Sequence, residues 1–198
     1  MDADEQTIKA YDEKASTFAD DWESQPAPIE LHDAVRRFFR PGVTADVGCG
    51  SGRDTAWLVA NGYPAVGIDA SPALLAEARR RHPGIDFRQG TLPTLSGIAE
   101  ESFDNVLCET VIMHLAEPVV SASVSRLLSI LKPGGTLYLS WRLNAAGPQR
   151  DDHGRLYANW SPELVLEPLS GAQFLLDEEA VSVSSNKVVR RLVVRKPG

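Results

Sequence analysis

The feature that most constrains this chain is Ala45-Asp46-Val47-Gly48-Cys49-Gly50-Ser51-Gly52, three alternating glycines behind the apolar approach Val43-Thr44-Ala45. A strand that runs into such a loop has to turn tightly. Glycine permits both the turn and a close approach of backbone to ligand, because it carries no Cβ. The residues at 54–61 have helical character, so the run predicts a strand, a glycine loop and a helix whose N-terminus faces a ligand. A dinucleotide fingerprint needs its third glycine at the sixth position, where Arg53 stands; Gly52 occupies the fifth. That spacing argues against NAD and leaves an NAD-linked oxidoreductase as an alternative only.

Around this loop, strand-like runs at 44–47, 65–69, 85–89, 103–108 and 136–141 alternate with helical patterns at 54–61, 72–81, 94–100 and 118–131. Alternation of this kind predicts βαβ units, hence an α/β fold with a doubly wound, mainly parallel sheet and right-handed crossovers. Asn61-Gly62 and Pro83-Gly84 end helices, and Lys132-Pro133-Gly134-Gly135 is expected to turn the chain from helix into strand. Beyond Trp141 the pattern changes to a Gly/Pro/Asp-rich loop at 144–154 and a helix opening at Ser161-Pro162-Glu163. Two strands at 173–183 and 187–195 then form a terminal antiparallel hairpin. Helices are expected at 4–22 and 29–39, with Pro26 and Pro28 breaking the chain between them.

The 20 Lys and Arg against 27 Asp and Glu give a net charge of −7, and the basic runs are short, Arg79-Arg80-Arg81 and Arg190-Arg191. Nucleic acid is therefore a poor partner. Cys49 and Cys108 have neither disulfide-framework nor metal-ligand spacing. The first residues lack an apolar signal core and no run approaches the roughly 18 apolar residues of a membrane span, so a soluble, cytoplasmic monomer or homodimer is expected.

Four motifs in order resemble the class I S-adenosylmethionine-dependent methyltransferases of the small-molecule type. They are the D-x-G-x-G-x-G run from Asp46, Val66-Gly67-Ile68-Asp69, Phe103-Asp104-Asn105-Val106-Leu107-Cys108, and Leu131-Lys132-Pro133-Gly134-Gly135-Thr136-Leu137. The resemblance implies a single Rossmann-like domain over 1–198 built on a seven-stranded sheet. Cap helices would occupy 1–40, the cofactor core 41–142 and the acceptor-side elements 143–198. It places the methionyl part of S-adenosylmethionine along Asp46, Gly48, Gly50, Gly52 and Arg53. Gly90, Thr91 and Leu92 would lie near the adenine, with Thr91 where an Asp is common, and Glu109 near the methionyl ammonium. Asp69, with Ala70 beside it, would bind the ribose: a carboxylate accepts from two neighbouring hydroxyls at once.

For the reacting end, the resemblance implies that Tyr11 covers the sulfonium or packs within its helix, and that Trp22 is hydrophobic cover. His114, beyond the fourth strand, is the general-base candidate; the competing reading is structural or a cofactor contact. A base would make activity rise with pH through the histidine range. Arg142, Arg155 and Tyr157 would wall the acceptor, the two arginines suiting a carboxylate or other oxyanion, with surface ion pairing as the competing reading. The implied reaction is in-line transfer of a methyl group to a small-molecule O, N or S acceptor, releasing S-adenosylhomocysteine with no metal required. A non-catalytic cofactor-binding protein is the remaining alternative.

Overall fold

The computed structural model describes residues 4–143 and 147–198, so the start of the loop expected at 144 lies outside the described residues. In chain order the elements are α1 (Glu5–Glu13), α2 (Ala15–Ser24), α3 (Ile29–Phe38), β1 (Thr44–Val47), α4 (Arg53–Ala60), β2 (Ala65–Asp69), α5 (Pro72–Arg81), β3 (Asp86–Gln89), β4 (Phe103–Cys108), α6 (Glu117–Ser129), β5 (Leu131–Arg142), β6 (Gln149–Arg150), β7 (Leu156–Tyr157), α7 (Glu163–Leu166), β8 (Gln173–Val181) and β9 (Val188–Arg195). Seven strands form one sheet in the order β3-β2-β1-β4-β5-β9-β8, with β6 and β7 a separate pair. The β1 to β5 pairings are parallel, and β9 runs antiparallel to both β5 and β8. This is the expected doubly wound, mainly parallel seven-stranded sheet with its terminal hairpin.

Alternation along the central strands splits the core between the two faces of the sheet. Val106, Leu137, Leu139, Leu192 and Val194 join the α6 side, while Leu107, Tyr138 and Val193 pack with Leu31 and Val35 of α3 and Leu58 of α4. All four residues of β1 are buried, as a parallel strand covered on both faces requires. Each fully buried Leu or Val contributes about 1.5–3 kcal/mol by removal from water. The sheet therefore gives a rigid platform for whatever sits at its strand ends.

Three local expectations are corrected. The run at 4–22 divides at Lys14, whose φ of −131° takes it out of the helix. The pattern at 94–100 forms turns rather than a helix. Leu95 there has a φ of 45°, and the Arg126 guanidinium donates to the carbonyls of Thr94, Leu95 and Ile98, taking the place of helical amides at Thr94 and Ile98 and joining the Ile98 amide at Leu95. The Lys132-Pro133-Gly134-Gly135 turn lies inside β5. Leu131 pairs with Phe103 and Thr136 with Asn105, so four residues loop out between them, with Gly134 at φ +72°.

Candidate functional site

The sheet order reverses between β1 and β4, each connecting to opposite sides, and the ends of their strands open a crevice there. A cavity of about 220 Å³ occupies it, floored by the glycine loop after β1 and by the ends of β2 and β4. Helices α1 and α2 close one side, and the β8–β9 turn reaches the other.

The loop is folded onto β2. The Gly48 and Cys49 amides both donate to the Ile68 carbonyl, at 2.7 and 3.1 Å. Gly48 has φ +80° and Gly50 φ +55°, a region that side-chain-bearing residues seldom adopt. The space around them is filled by the protein itself. A Cβ on Gly48 would meet Val111 Cγ2 at 2.1 Å, and one on Gly50 the Trp22 ring at 2.8 Å. Gly48 thus makes room for the chain after β4, and Gly50 for the aromatic cover.

Asp69 ends β2 and lines the cavity. Its Oδ2 accepts from the Gly50 amide and its Oδ1 from the Ser71 amide, both at 2.8 Å. A carboxylate oxygen has about two lone-pair sites. Each oxygen therefore keeps one for a hydroxyl donor in the cavity. Burial raises its pKa, against the pull of those amides. Ser71 caps α5, accepting from Leu74 N at 3.1 Å, so Asp69 is left for the site.

Ala70, Gly90, Thr91, Leu92, Glu109, Gly48, Gly50 and Arg53 also line the cavity, as expected, but Asp46 and Gly52 do not. Asp46 is buried and accepts from the Thr55 hydroxyl at 2.6 Å, fastening α4 to β1; desolvation raises its pKa to about 7. Gly52 sits against Phe87 and His82, where a Cβ would approach within 3.0 Å of both. Both residues shape the loop from outside the cavity. Glu109 accepts from the Ser140 hydroxyl at 2.5 Å, and burial raises its pKa too.

Two of the contacts that latch the cover lie beside the glycine loop and the end of β2. Asp12 Oδ1 of α1 accepts from the Ser71 hydroxyl at 2.5 Å and the Ala73 amide at 3.1 Å, and Arg53 donates to the Trp22 carbonyl of α2 at 3.1 Å while paired with Asp54. Tyr11 and Trp22 stand together under this cover, ring centroids 6.0 Å apart.

Tyr11 also begins a hydrogen-bonded chain. His114 Nδ1 lies 2.6 Å from the Leu156 carbonyl, which can only accept, so Nδ1 carries the proton and Nε2 accepts from the Tyr11 hydroxyl at 3.0 Å. Arg155 Nη1 donates to the Tyr11 oxygen at 3.4 Å, and Arg155 is itself held by Asp151 at 2.6 Å. Burial pushes the His114 pKa down to about 4 and that of Tyr11 up. The expected rise of activity through the ordinary histidine range is therefore displaced: the imidazole is already neutral well below pH 6.

Tyr157 packs edge-on to His114 at 4.9 Å and lies under both arginines, each guanidinium 5.7 Å from its ring. The expected oxyanion pair is thereby split, since Arg155 has an internal carboxylate and Arg142 has none among the described residues. Sequence reading missed Ser182, Ser184 and Ser185 of the β8–β9 turn, which line the cavity. They lie some forty residues beyond Arg142 and carry no motif; only the antiparallel return of β9 along β5 brings them there. No helix among the described residues is long and apolar enough to cross a membrane.

Residues 45–139 match the family model for a methyltransferase domain. Among curated proteins, the chain is 33% identical over 118 residues to a ubiquinone biosynthesis O-methyltransferase of Xanthomonas campestris pv. campestris, covering 57% of this chain and 48% of that protein. It is 38% identical over 111 residues to a trans-aconitate 2-methyltransferase of Methylobacterium nodulans, covering 54% of this chain and 41% of that one. The chain thus spans about half the length of the curated relatives it matches. A solved structure of Burkholderia thailandensis 1,6-didemethyltoxoflavin-N1-methyltransferase, with bound 1,6-didemethyltoxoflavin and S-adenosylhomocysteine, superposes with a TM-score of 0.73 at 21% identity, covering 98% of this chain and 88% of that one. The matched methyltransferase domain lies over the strands and glycine loop that build the cavity floor, and the chain shares its fold with this solved methyltransferase.

Proposed function

We propose that this protein transfers a methyl group from S-adenosylmethionine to a small-molecule acceptor in this cavity, releasing S-adenosylhomocysteine. The observation that carries the reading is Asp69, fixed by two backbone amides at the end of β2 with one lone-pair site left on each oxygen. Two adjacent ribose hydroxyls match that arrangement, and the buried Ser51 hydroxyl on the cavity wall has no internal partner. These residues fit the cofactor. Gly48, Gly50 and Arg53 would border its methionyl part, Ala70 the ribose, Gly90, Thr91 and Leu92 the adenine, and Glu109 the ammonium. When bound, it supplies a methyl group activated by a positive sulfur.

The chain's own residues then orient and desolvate the reactants. Trp22 and the α1–α2 cover exclude water, while Tyr11 fixes the acceptor beside its hydroxyl. Where the acceptor must lose a proton, the Tyr11 oxygen receives it as its own proton passes to His114 Nε2, and the Leu156 carbonyl steadies the opposite ring nitrogen. Arg142, Arg155 and Tyr157 form the acceptor wall, with Arg155 steadying the Tyr11 oxygen. Alignment supplies most of the acceleration in such a transfer, because the leaving group is already activated.

Calorimetric titration of the protein with S-adenosylhomocysteine and with NAD tests the reading. Wild type is expected to bind the first and not the second, and Asp69→Ala to weaken binding by about 10–100-fold with an unchanged melting temperature, the loss of one or two charge-assisted hydrogen bonds. Equal affinity in the variant would refute the assignment, and binding of NAD would favour an oxidoreductase. A screen of small acids, phenols, amines and thiols for S-adenosylhomocysteine release separates an enzyme from a binding protein.

A further inference from the structure

Three arginines line the cavity, and two of them are neutralised within the protein: Arg53 by Asp54 at 3.0 Å and Arg155 by Asp151 at 2.6 Å. Arg142 differs. Among the described residues its guanidinium makes no hydrogen bond or ion pair; its contact is the face of Tyr157, and its Nε is buried without a partner. A guanidinium that carries a full charge and an unsatisfied buried N–H is costly to maintain unless an acceptor fills it. The residue is held there by the sheet, since Arg142 closes the β5 ladder opposite Val189 and the next amide, Leu143, donates to the Val188 carbonyl at 3.0 Å.

The β8–β9 turn adds three serines to the lining of the same cavity. Ser182 and Ser184 hydroxyls are 3.1 Å apart, so one donates to the other and the hydrogen of the second remains uncommitted. Ser185 adds another hydroxyl to the cavity wall. The turn is braced by its own backbone, Ser182 N to Lys187 O and Asn186 N to Ser182 O, both at 2.8 Å, and by the Glu30 carboxylate of α3, which accepts from Val183 N at 3.0 Å. The carboxylates that also line the cavity have partners of their own: Asp4 with Arg150, Asp54 with Arg53, Glu109 with Ser140, and Asp69 with the Gly50 and Ser71 amides. What remains in the lining, among the described residues, is one cation without an internal anion and the hydroxyl donors of the turn.

We infer that Arg142 with the Ser182, Ser184 and Ser185 turn forms an anion subsite, and that the methyl acceptor is a carboxylate-bearing small molecule seated there. This rests on the methyl-transfer reading for the identity of the ligand as acceptor, while the subsite itself rests on the side chains just described. A planar guanidinium and a carboxylate make paired hydrogen bonds that an amide, with one acceptor oxygen and an N–H₂ group facing donors, cannot reproduce. Arg155 contributes orientation rather than anion binding.

The test is calorimetric titration of protein saturated with S-adenosylhomocysteine, using benzoate, cinnamate and succinate against benzamide, cinnamamide and succinamide. At least one acid is expected to bind tenfold or more tightly than its amide. Arg142→Met should abolish that preference and Arg142→Lys retain part of it. The Ser184→Ala, Ser185→Ala double variant should reduce it severalfold, with S-adenosylhomocysteine affinity unchanged and melting temperature no lower than that of wild type in each. Amides that bind as tightly as the acids, acids that fail to bind, or a preference that survives Arg142→Met would overturn the subsite. Failure of S-adenosylhomocysteine to bind would instead overturn the methyl-transfer reading, and the acid titrations repeated on the ligand-free protein would still report on Arg142.

Discussion

Replacing His114 by Gln removes one titrating group while offering the same two hydrogen bonds, an N–H toward the Leu156 carbonyl and an oxygen toward the Tyr11 hydroxyl. The folded-state pKa of His114 is lowered from 6.5 to about 4, chiefly by burial. Between those values the unfolded chain binds the extra proton and the folded one resists it, so stability from this group is complete above pH 6.5 and is lost as pH falls toward 4. A displacement of about 2.5 units at 1.36 kcal/mol per unit gives a ceiling near 3 kcal/mol, reduced by water reaching the cavity edge of the ring. Urea denaturation of wild type and His114→Gln at intervals from pH 4 to 8 is the assay. The stability difference, wild type minus variant, should be constant from pH 7 upward and shrink by about 1–3 kcal/mol on going to pH 4. His32 and His82, whose pKa values are also lowered by burial, are common to both proteins and cancel. Parallel curves over the whole range would refute the burial argument.

Tyr11→Phe should lower the maximal rate of methyl transfer by roughly 10²-fold with S-adenosylhomocysteine affinity within about threefold, because the ring stays and only the hydroxyl leaves; single-turnover rates across pH 5.5–9 (a span of about this width brackets the ordinary histidine range) should show no His114 titration in wild type. Gly50→Val should displace the cover, since its Cβ lies 2.8 Å from the Trp22 ring and its φ of +55° strains any branched residue. Faster proteolysis near Pro26 and weaker S-adenosylhomocysteine binding are the readouts, and an unchanged digestion pattern would speak against it. Thr55→Val leaves the buried Asp46 carboxyl without its hydroxyl donor, and chemical denaturation at pH 8 should register a loss of about 1–3 kcal/mol, with a smaller loss near pH 5, where Asp46 is protonated.

The sheet was legible because its determinants are local and periodic: β1, β2 and β4 fall on their predicted residues, and Ser71-Pro72 starts α5 as capping rules require. Asp69 was legible for the same reason, a carboxylate at a strand end beside a glycine loop. What the motif concealed is the occupant of each glycine's open side. Val111 and Trp22 are remote in sequence, and only packing puts them against Gly48 and Gly50. Asp46 carries the same motif yet turns its carboxylate to Thr55, away from the cavity. At 94–100 helical patterning lost to the Arg126 side chain, thirty residues distant in the chain, which no local propensity encodes. Arg142 and Arg155 looked equivalent as residues; Asp151, paired to one and not the other, makes them different.

The floor of the cavity is drawn from residues between Val47 and Leu92 and from the chain just past β4, whereas the wall carrying Arg142, Arg155, Tyr157 and the serine turn comes from the C-terminal stretch beyond it. The two halves meet along the seam between β4 and β5 and are tied again across the cavity mouth, where Leu156 bonds to Thr7 and His114 and Arg150 to Asp4. Exchange of the later segment must therefore carry those contacts with it. On the methyl-transfer reading proposed above, a chimaera joined within α6 should keep the ligand-binding floor of one parent and take the Arg142 wall of the other where the partners of Leu156 and Arg150 are matched.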